Sequence, residues 1–304
     1  MIKIPSVKQE IIDEYYNAAE RYYEDFLDEV NSNGTYPRLI SYVKNPATNL
    51  YDKNKIKNIL VGDRAHLLAL IHSFPTKMNS TDESKTMLKK FKRTEAFRML
   101  AEREGIRICP YCNRSFIFTL KYRNVNPEYD HYFPSSEYPY LAISLYNLIP
   151  CCGVCNKSKS SKDPLNTEII YPYEEEFGDD VYFDLQYDSP TELIFGKQAV
   201  DVVIKSAVTP PPSWFDNSVH KIFKLQDLYK KHADYVKNLI ELTRYYGNGG
   251  NGLLNIRRSF GWMPKKDINE LKSSLYVNYA IKEKWHTKIL SKLTFDLVKK
   301  FEAI

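Results

Sequence analysis

All five cysteines of the 304-residue chain fall between positions 109 and 155. Cys109 and Cys112 form one C-x-x-C pair and Cys152 and Cys155 a second, with 39 residues between the pairs. Two such pairs can give four thiolates to one tetrahedral zinc at Zn–S distances of about 2.3 Å. Four protein ligands leave no open position, so a zinc held this way is structural, not catalytic. Ordinary buried thiols are the blander reading, but they do not account for the paired spacing, nor for Asn113 and Gly153 standing where tight knuckles need them. Cys151 would pair with Cys155 only as C-x-x-x-C, a poorer knuckle, and reads as a small packed residue.

The gap between the pairs exceeds the usual zinc-ribbon spacing, so the loop has room for a second set of groups. Those groups are Asp130-His131, Asn147 and, directly after the last cysteine, Asn156. A carboxylate and an amide oxygen suit a hard divalent cation such as Mg²⁺ or Mn²⁺, which keeps several waters and takes few protein ligands. On an extended segment, neighbours point to opposite faces. Asp130 and His131 therefore divide the work, Asp130 on the cation and His131 as general base, where an unperturbed pKa near 6.5 suits the task. Asn147 is expected to hold the loop and fix the orientation of His131. Lys157, Lys159 and Lys162 follow on the helix that begins near Cys155 and are placed close to a phosphate; the rival reading is a solvated helix end. Tyr132, Tyr138 and Tyr140 could stack on bases, against the commoner role of core or rim packing.

The stretch 109–163 resembles the HNH endonucleases of the ββα-metal type with a zinc-bound frame. Asp130-His131, the central Asn147 in YNLIP and the terminal Asn156 in CGVCNKSK carry the likeness, which covers about 55 residues. Asn156 stands where the family name would place His. The wider pattern DHYFP, YPYLAISLYNLIP and CNKSK is similar to HNH subunits of bacterial anti-phage defence systems of the Septu kind. The resemblance implies a metal-dependent endonuclease cutting DNA, with zinc as scaffold and an ATPase or other regulatory subunit as partner.

The chain's net charge of +5 is compatible with a polyanion partner without requiring one. Clustered cysteines in a chain whose start, MIKIPSVKQE, lacks a signal-peptide core predict a reducing cytoplasm, and no apolar run reaches membrane-spanning length. The expected fold is α+β: a ββα-metal core with a four-cysteine zinc site, flanked by helical units and a small antiparallel strand unit. The boundaries are a helical unit at 1–105, the nuclease core at 106–165, an acidic strand unit at 166–212 and a basic helical unit at 213–304.

Apolar spacing predicts helices over 6–32, about 54–73 and about 80–104, the last carrying Lys85, Lys89, Lys90, Lys92 and Arg93. That cluster is a solvated helix face or a phosphate contact. VYFDLQY, TELIFG and AVDVVIKSA read as strands in a region of net charge −9 from Glu168 to Asp201. Helices return from Asp216, with further ones expected over 267–283 and 285–302, and residues 211–304 carry a net +8. Gly247–Gly252 matches G-x-G-x-x-G, but a helical pattern precedes it, so it reads as a loop between helices and not a dinucleotide site. His66 and His72 lie in an apolar helix and read as core; His220, His232 and His286 read as surface. Two rivals remain: a non-catalytic zinc-framed nucleic-acid-binding or scaffold subunit, and an HNH nuclease acting on RNA.

Overall fold

The computed structural model describes residues 1–74, 77–98, 100–119, 127–188, 200–246 and 268–302. Among the described residues the chain is mixed helix and strand, with two small antiparallel sheets. Its described residues divide into two compact units, one of Ile4–Arg107 and Ile117–Thr167, the other of Met1–Lys3, Ile108–Phe116 and Glu168–Ile304.

The first of these opens with α1 (Gln9–Asn33), which buries Tyr15, Ala19, Tyr23, Phe26, Leu27 and Val30. Their three- and four-residue spacing makes one apolar face, and Gly34, at φ 67°, closes the helix in the left-handed conformation that glycine adopts without penalty. Helices α2 (Pro37–Val43), α3 (Lys53–Val61) and α4 (Arg64–Ser73) follow. The single helix expected over 54–73 is two, because Gly62 leaves the helical region and the Asp63 side chain accepts from His66 N, starting α4 afresh. The buried face of α4 is Leu67, Leu70 and Ile71, so His66 and His72 are exposed and the core reading of both is corrected.

Thr81 and Ser84 form a reciprocal capping box at the start of α5 (Asp82–Phe91). The long helix predicted to Glu104 breaks at a turn over Lys92–Thr94 and resumes as α6 (Glu95–Arg98) and α7 (Leu100–Arg103) before Gly105 at φ 70°. Next come β1 (Glu128–His131) and β2 (Leu148–Cys151), antiparallel with Asp130 opposite Ile149 and His131 opposite Leu148. Then α8 (Gly153–Lys159) packs on β1.

A chain of aromatic contacts carries the helices to that strand pair. Tyr15 meets Phe91 at 5.4 Å, Phe91 meets Phe97 at 5.9 Å, and Phe97 meets Tyr129 on β1 at 4.6 Å between ring centres. The Tyr129 hydroxyl accepts from Ala101 N, and the Tyr15 hydroxyl donates to Ile143 O. The N-terminal helices thus fix both β1 and the 141–143 turn.

In the other unit, β3 (Val181–Gln186) and β4 (Asp201–Ser206) pair antiparallel, Phe183 opposite Ile204. Helix α9 (Leu225–Lys230) packs on β4, while α12 (Ser291–Glu302) packs on β3 and against α10 (Ala233–Tyr246). Residues 267–283 and 285–302 were expected as two full helices; α11 spans Ile268–Leu275 and α12 begins at Ser291, with a 3₁₀ turn over Lys282–Thr287 between them. Ile2, Ile108, Ala280 and Trp285 form one buried apolar cluster. The TELIFG strand, 191–196, and the GNGGNG loop, 247–252, lie outside the described residues. Among the described residues no helix is long and apolar enough to cross a membrane.

Candidate metal centre and polar cleft

The Cys109–Asn113 turn is locked from outside. Asn113 sits at φ 51°, which asparagine tolerates better than most residues. Its buried amide donates to Trp285 O and Lys288 O, and accepts from Ser291 Oγ and Lys292 N, all within 3.3 Å. The Tyr229 hydroxyl donates to Cys112 O at 2.7 Å. Gly153 does not serve as a positive-φ turn. A Cβ there would stand 2.7 Å from Glu128 Oε1, so its missing side chain leaves room for that carboxylate.

The Sγ atoms of Cys109, Cys112, Cys152 and Cys155 all lie within 4.8 Å of one another. Thiolates on a tetrahedral zinc are roughly 3.8 Å apart, from bonds of about 2.3 Å, so the donor set and spacing fit such an ion. Four cysteines placed together can hold a metal ion such as zinc. No cysteine is in a disulfide. Cys151 is buried on β2 outside that group, and burial pushes its thiol pKa up, so it stays a packed neutral thiol.

Asp130, His131, Asn156, Lys157 and Lys92 line one cleft of about 400 Å³, together with Ser135, Ser136, Ser160 and Ser161. His131 ends β1 and is partly exposed. Its Nε2 lies 2.9 Å from Ala142 O. A carbonyl only accepts, so Nε2 carries the hydrogen and the lone pair is left on Nδ1. Burial lowers the ring's pKa to about 4; the hydrogen bond to Ala142 opposes it, and the nearby Lys92 and Lys159 charges add smaller lowering effects. The ring is neutral at pH 7, more strongly so than the unperturbed value near 6.5 expected from sequence.

Asn147 lies in a 3₁₀ turn before β2 and is fully buried. Its Oδ1 accepts from Phe133 N at 2.7 Å, and its Nδ2 donates to Phe133 O at 3.1 Å and Leu141 O at 3.0 Å. It therefore touches the backbone on either side of the loop and does not line the cleft. Leu141 precedes Ala142, the residue that holds the His131 ring.

Asn156 stands in α8 with Nδ2 donating to Glu128 Oε2 at 2.7 Å. That bond fixes the amide's orientation, and Oδ1 is the atom it presents elsewhere. Glu128 was not singled out from the sequence. The signal was available: it lies two residues before Asp130 on a strand, and period two puts both on one face. Lys92 was named only as part of a basic cluster; the turn that ends α5 brings it to the cleft, where desolvation lowers its pKa.

Lys159 overturns its predicted placement beside a phosphate. Cys155 and Lys159, one helical turn apart, both face inward from α8. The Lys159 side chain is 0% exposed; its ammonium lies 3.2 Å from Asp130 Oδ1 and donates to His131 O at 2.6 Å. Burial lowers its pKa, against the raising effect of Asp130. Lys157 and Lys162 are exposed as expected, Lys157 on the cleft and Lys162 donating to Ser158 O. Tyr132, Tyr138 and Tyr140 are buried to 3% exposure or less, which makes them packing residues and removes the base-stacking reading.

Comparison with known protein families, curated proteins and solved structures finds no match to this chain.

Proposed function

We propose that this protein is a cation-dependent endonuclease that hydrolyses DNA phosphodiester bonds at the Asp130–His131–Asn156 cleft. The observation that carries the reading is a partly exposed neutral histidine whose Nε2 is held by Ala142, leaving Nδ1 as the proton acceptor, in a cleft shared with two hard oxygen donors. The donor chemistry of Asp130 and Asn156 fits Mg²⁺ or Mn²⁺, which such sites bind with water and substrate oxygens completing the shell. A divalent cation there supplies charge stabilisation for the phosphate and for the departing 3′ oxygen. His131 Nδ1 takes the proton of the attacking water. An incoming phosphodiester adds negative charge beside the ring and moves its pKa back up from about 4, making the imidazole a better proton sink. Glu128 orients the Asn156 amide, and Asn147 steadies the turn that holds His131. Lys92 and Lys157 attract the phosphate backbone.

The likeness of 109–163 to HNH defence subunits supports a role as nuclease effector in anti-phage defence, gated by an ATPase or other regulatory subunit. Zinc serves as the scaffold metal in this reading. Cleavage of supercoiled plasmid with Mg²⁺ or Mn²⁺ tests it. Wild type is expected to cut and His131→Ala to lose cutting by about 10²-fold or more, with zinc content and circular dichroism unchanged. Equal cutting by both would refute the assignment. Uncut plasmid with cut single-stranded RNA, again abolished by His131→Ala, would move the substrate to RNA.

A further inference from the structure

The proposed cation site contains a cation of its own. Asp130 is 2% and Lys159 0% exposed, and their charged atoms are 3.2 Å apart. Removing both charges from water costs several kcal/mol per ion, and a buried pair is commonly replaceable by apolar residues without loss of stability. Stability alone is therefore a weak reason for a lysine here. Its second bond, to His131 O at 2.6 Å, fixes the ammonium against β1 and within reach of Asp130. Among the described residues, the charges lining the cleft are two lysines, Lys92 and Lys157, and the carboxylate of Asp130, already matched by Lys159. Glu128 touches Asn156, but its carboxylate is engaged with that amide. A divalent cation entering this cleft alone meets more positive charge than negative. A phosphodiester entering with it reverses the balance.

We propose that the Lys159 ammonium is the resident counter-cation of Asp130, so that the cleft holds a divalent cation tightly only together with an anionic phosphodiester. This rests on the reading of the cleft as the cation-assisted hydrolytic site. Lys159 is then a positioning residue, acting through Asp130, and it makes cation loading dependent on substrate. Coupling of this kind is reciprocal, the cation strengthening phosphodiester binding by the same factor. A lysine that merely ties α8 to β1 would lower thermal stability when removed and leave cation affinity alone.

The test is direct Mn²⁺ binding, followed by the electron paramagnetic resonance signal of free Mn²⁺ at pH 8. It uses the full zinc-loaded chain in a His131→Ala background, so that a short DNA duplex stays intact. Duplex DNA is expected to tighten Mn²⁺ binding by about tenfold or more, within the usual range of coupling between sites. Lys159→Met is expected to tighten DNA-free Mn²⁺ binding by about tenfold and to shrink the effect of DNA, because a repelling charge is gone. Lys159→Arg keeps the charge and is expected to stay within about twofold of its parent. Equal Mn²⁺ affinity with and without DNA overturns the proposal, as does a Lys159→Met variant that loses stability while its Mn²⁺ affinity is unchanged or weaker. Should Lys159→Met fail to fold, the DNA comparison in the parent decides alone. Asp130→Ala separates the two levels. If it leaves Mn²⁺ binding untouched, the cleft is not the cation site and the functional reading falls as well. If it weakens binding while the DNA and Lys159 arms are flat, only the present inference falls.

Discussion

Replacing Asn147 by alanine removes three hydrogen bonds in one step: to Phe133 N at 2.7 Å, Phe133 O at 3.1 Å and Leu141 O at 3.0 Å. Each bond is worth about 1 kcal/mol net, and each backbone group left buried without a partner costs more. The local loss is therefore about 3–4 kcal/mol. A domain of ordinary stability, about 5–15 kcal/mol, survives that. The consequence is confined first to the loop, where the opening constant should rise by about 10²–10³, at 1.4 kcal/mol per decade. Native-state hydrogen exchange reads this directly. The Phe133 amide is expected to lose two to three decades of protection, while the Phe183 amide, bonded to Asp296 in the other unit, is expected to keep its rate. Asn147→Asp should be worse than alanine, because it keeps the acceptor for Phe133 N but sets a carboxylate against two carbonyl oxygens. Leu141 adjoins Ala142, so both variants should also blur the His131 tautomer seen by ¹⁵N NMR. Phe133 protection within about tenfold of wild type in Asn147→Ala would refute the clamp and, with it, the positioning of His131 through this turn.

Other outcomes follow from the same geometry. In the cation-free protein the folded His131 pKa of about 4 lies below the unfolded value near 6.5. The unfolded chain therefore binds more protons between those values: the contribution is complete above pH 6.5 and lost as pH falls towards 4. Urea unfolding at pH 7 and 4.5 should show about 2 kcal/mol of acid destabilisation that His131→Gln lacks. Elemental analysis is expected to find zinc in wild type and in Cys151→Ala, since Cys151 lies outside the four-sulfur group, and to find it lost in Cys112→Ser. Glu128→Ala frees the Asn156 amide and should cut activity several-fold with a stability change within about 0.5 kcal/mol, because Glu128 is exposed. Lys157→Ala should reduce the salt dependence of DNA binding by about one unit of slope. An equal reduction from Lys159→Met would contradict its burial.

Residue types and local spacing set the chemistry on offer. Two C-x-x-C pairs offer four soft donors, because ligand type and the spacing within each pair are local properties, while the fold brings the two pairs together. The pattern in VYFDLQY and AVDVVIKSA was enough to mark β3 and β4 as strands, since period two is set by the backbone, while their register against each other comes from the fold. Helix breaks at Gly62 and Lys92–Thr94 were harder, because apolar spacing continues across them while capping and turn geometry do not.

Packing set the state of each polar group. Lys157, Lys159 and Lys162 are the same residue type within six positions, yet Lys159 alone faces the core and meets Asp130. His131 owes its neutrality to burial and its tautomer to Ala142, eleven residues away. Glu128 and Asn156, 28 residues apart, meet only when α8 folds onto β1. Desolvation and hydrogen-bond partners come from the whole packed unit and fall off within a few ångströms, so spacing along the chain cannot carry them.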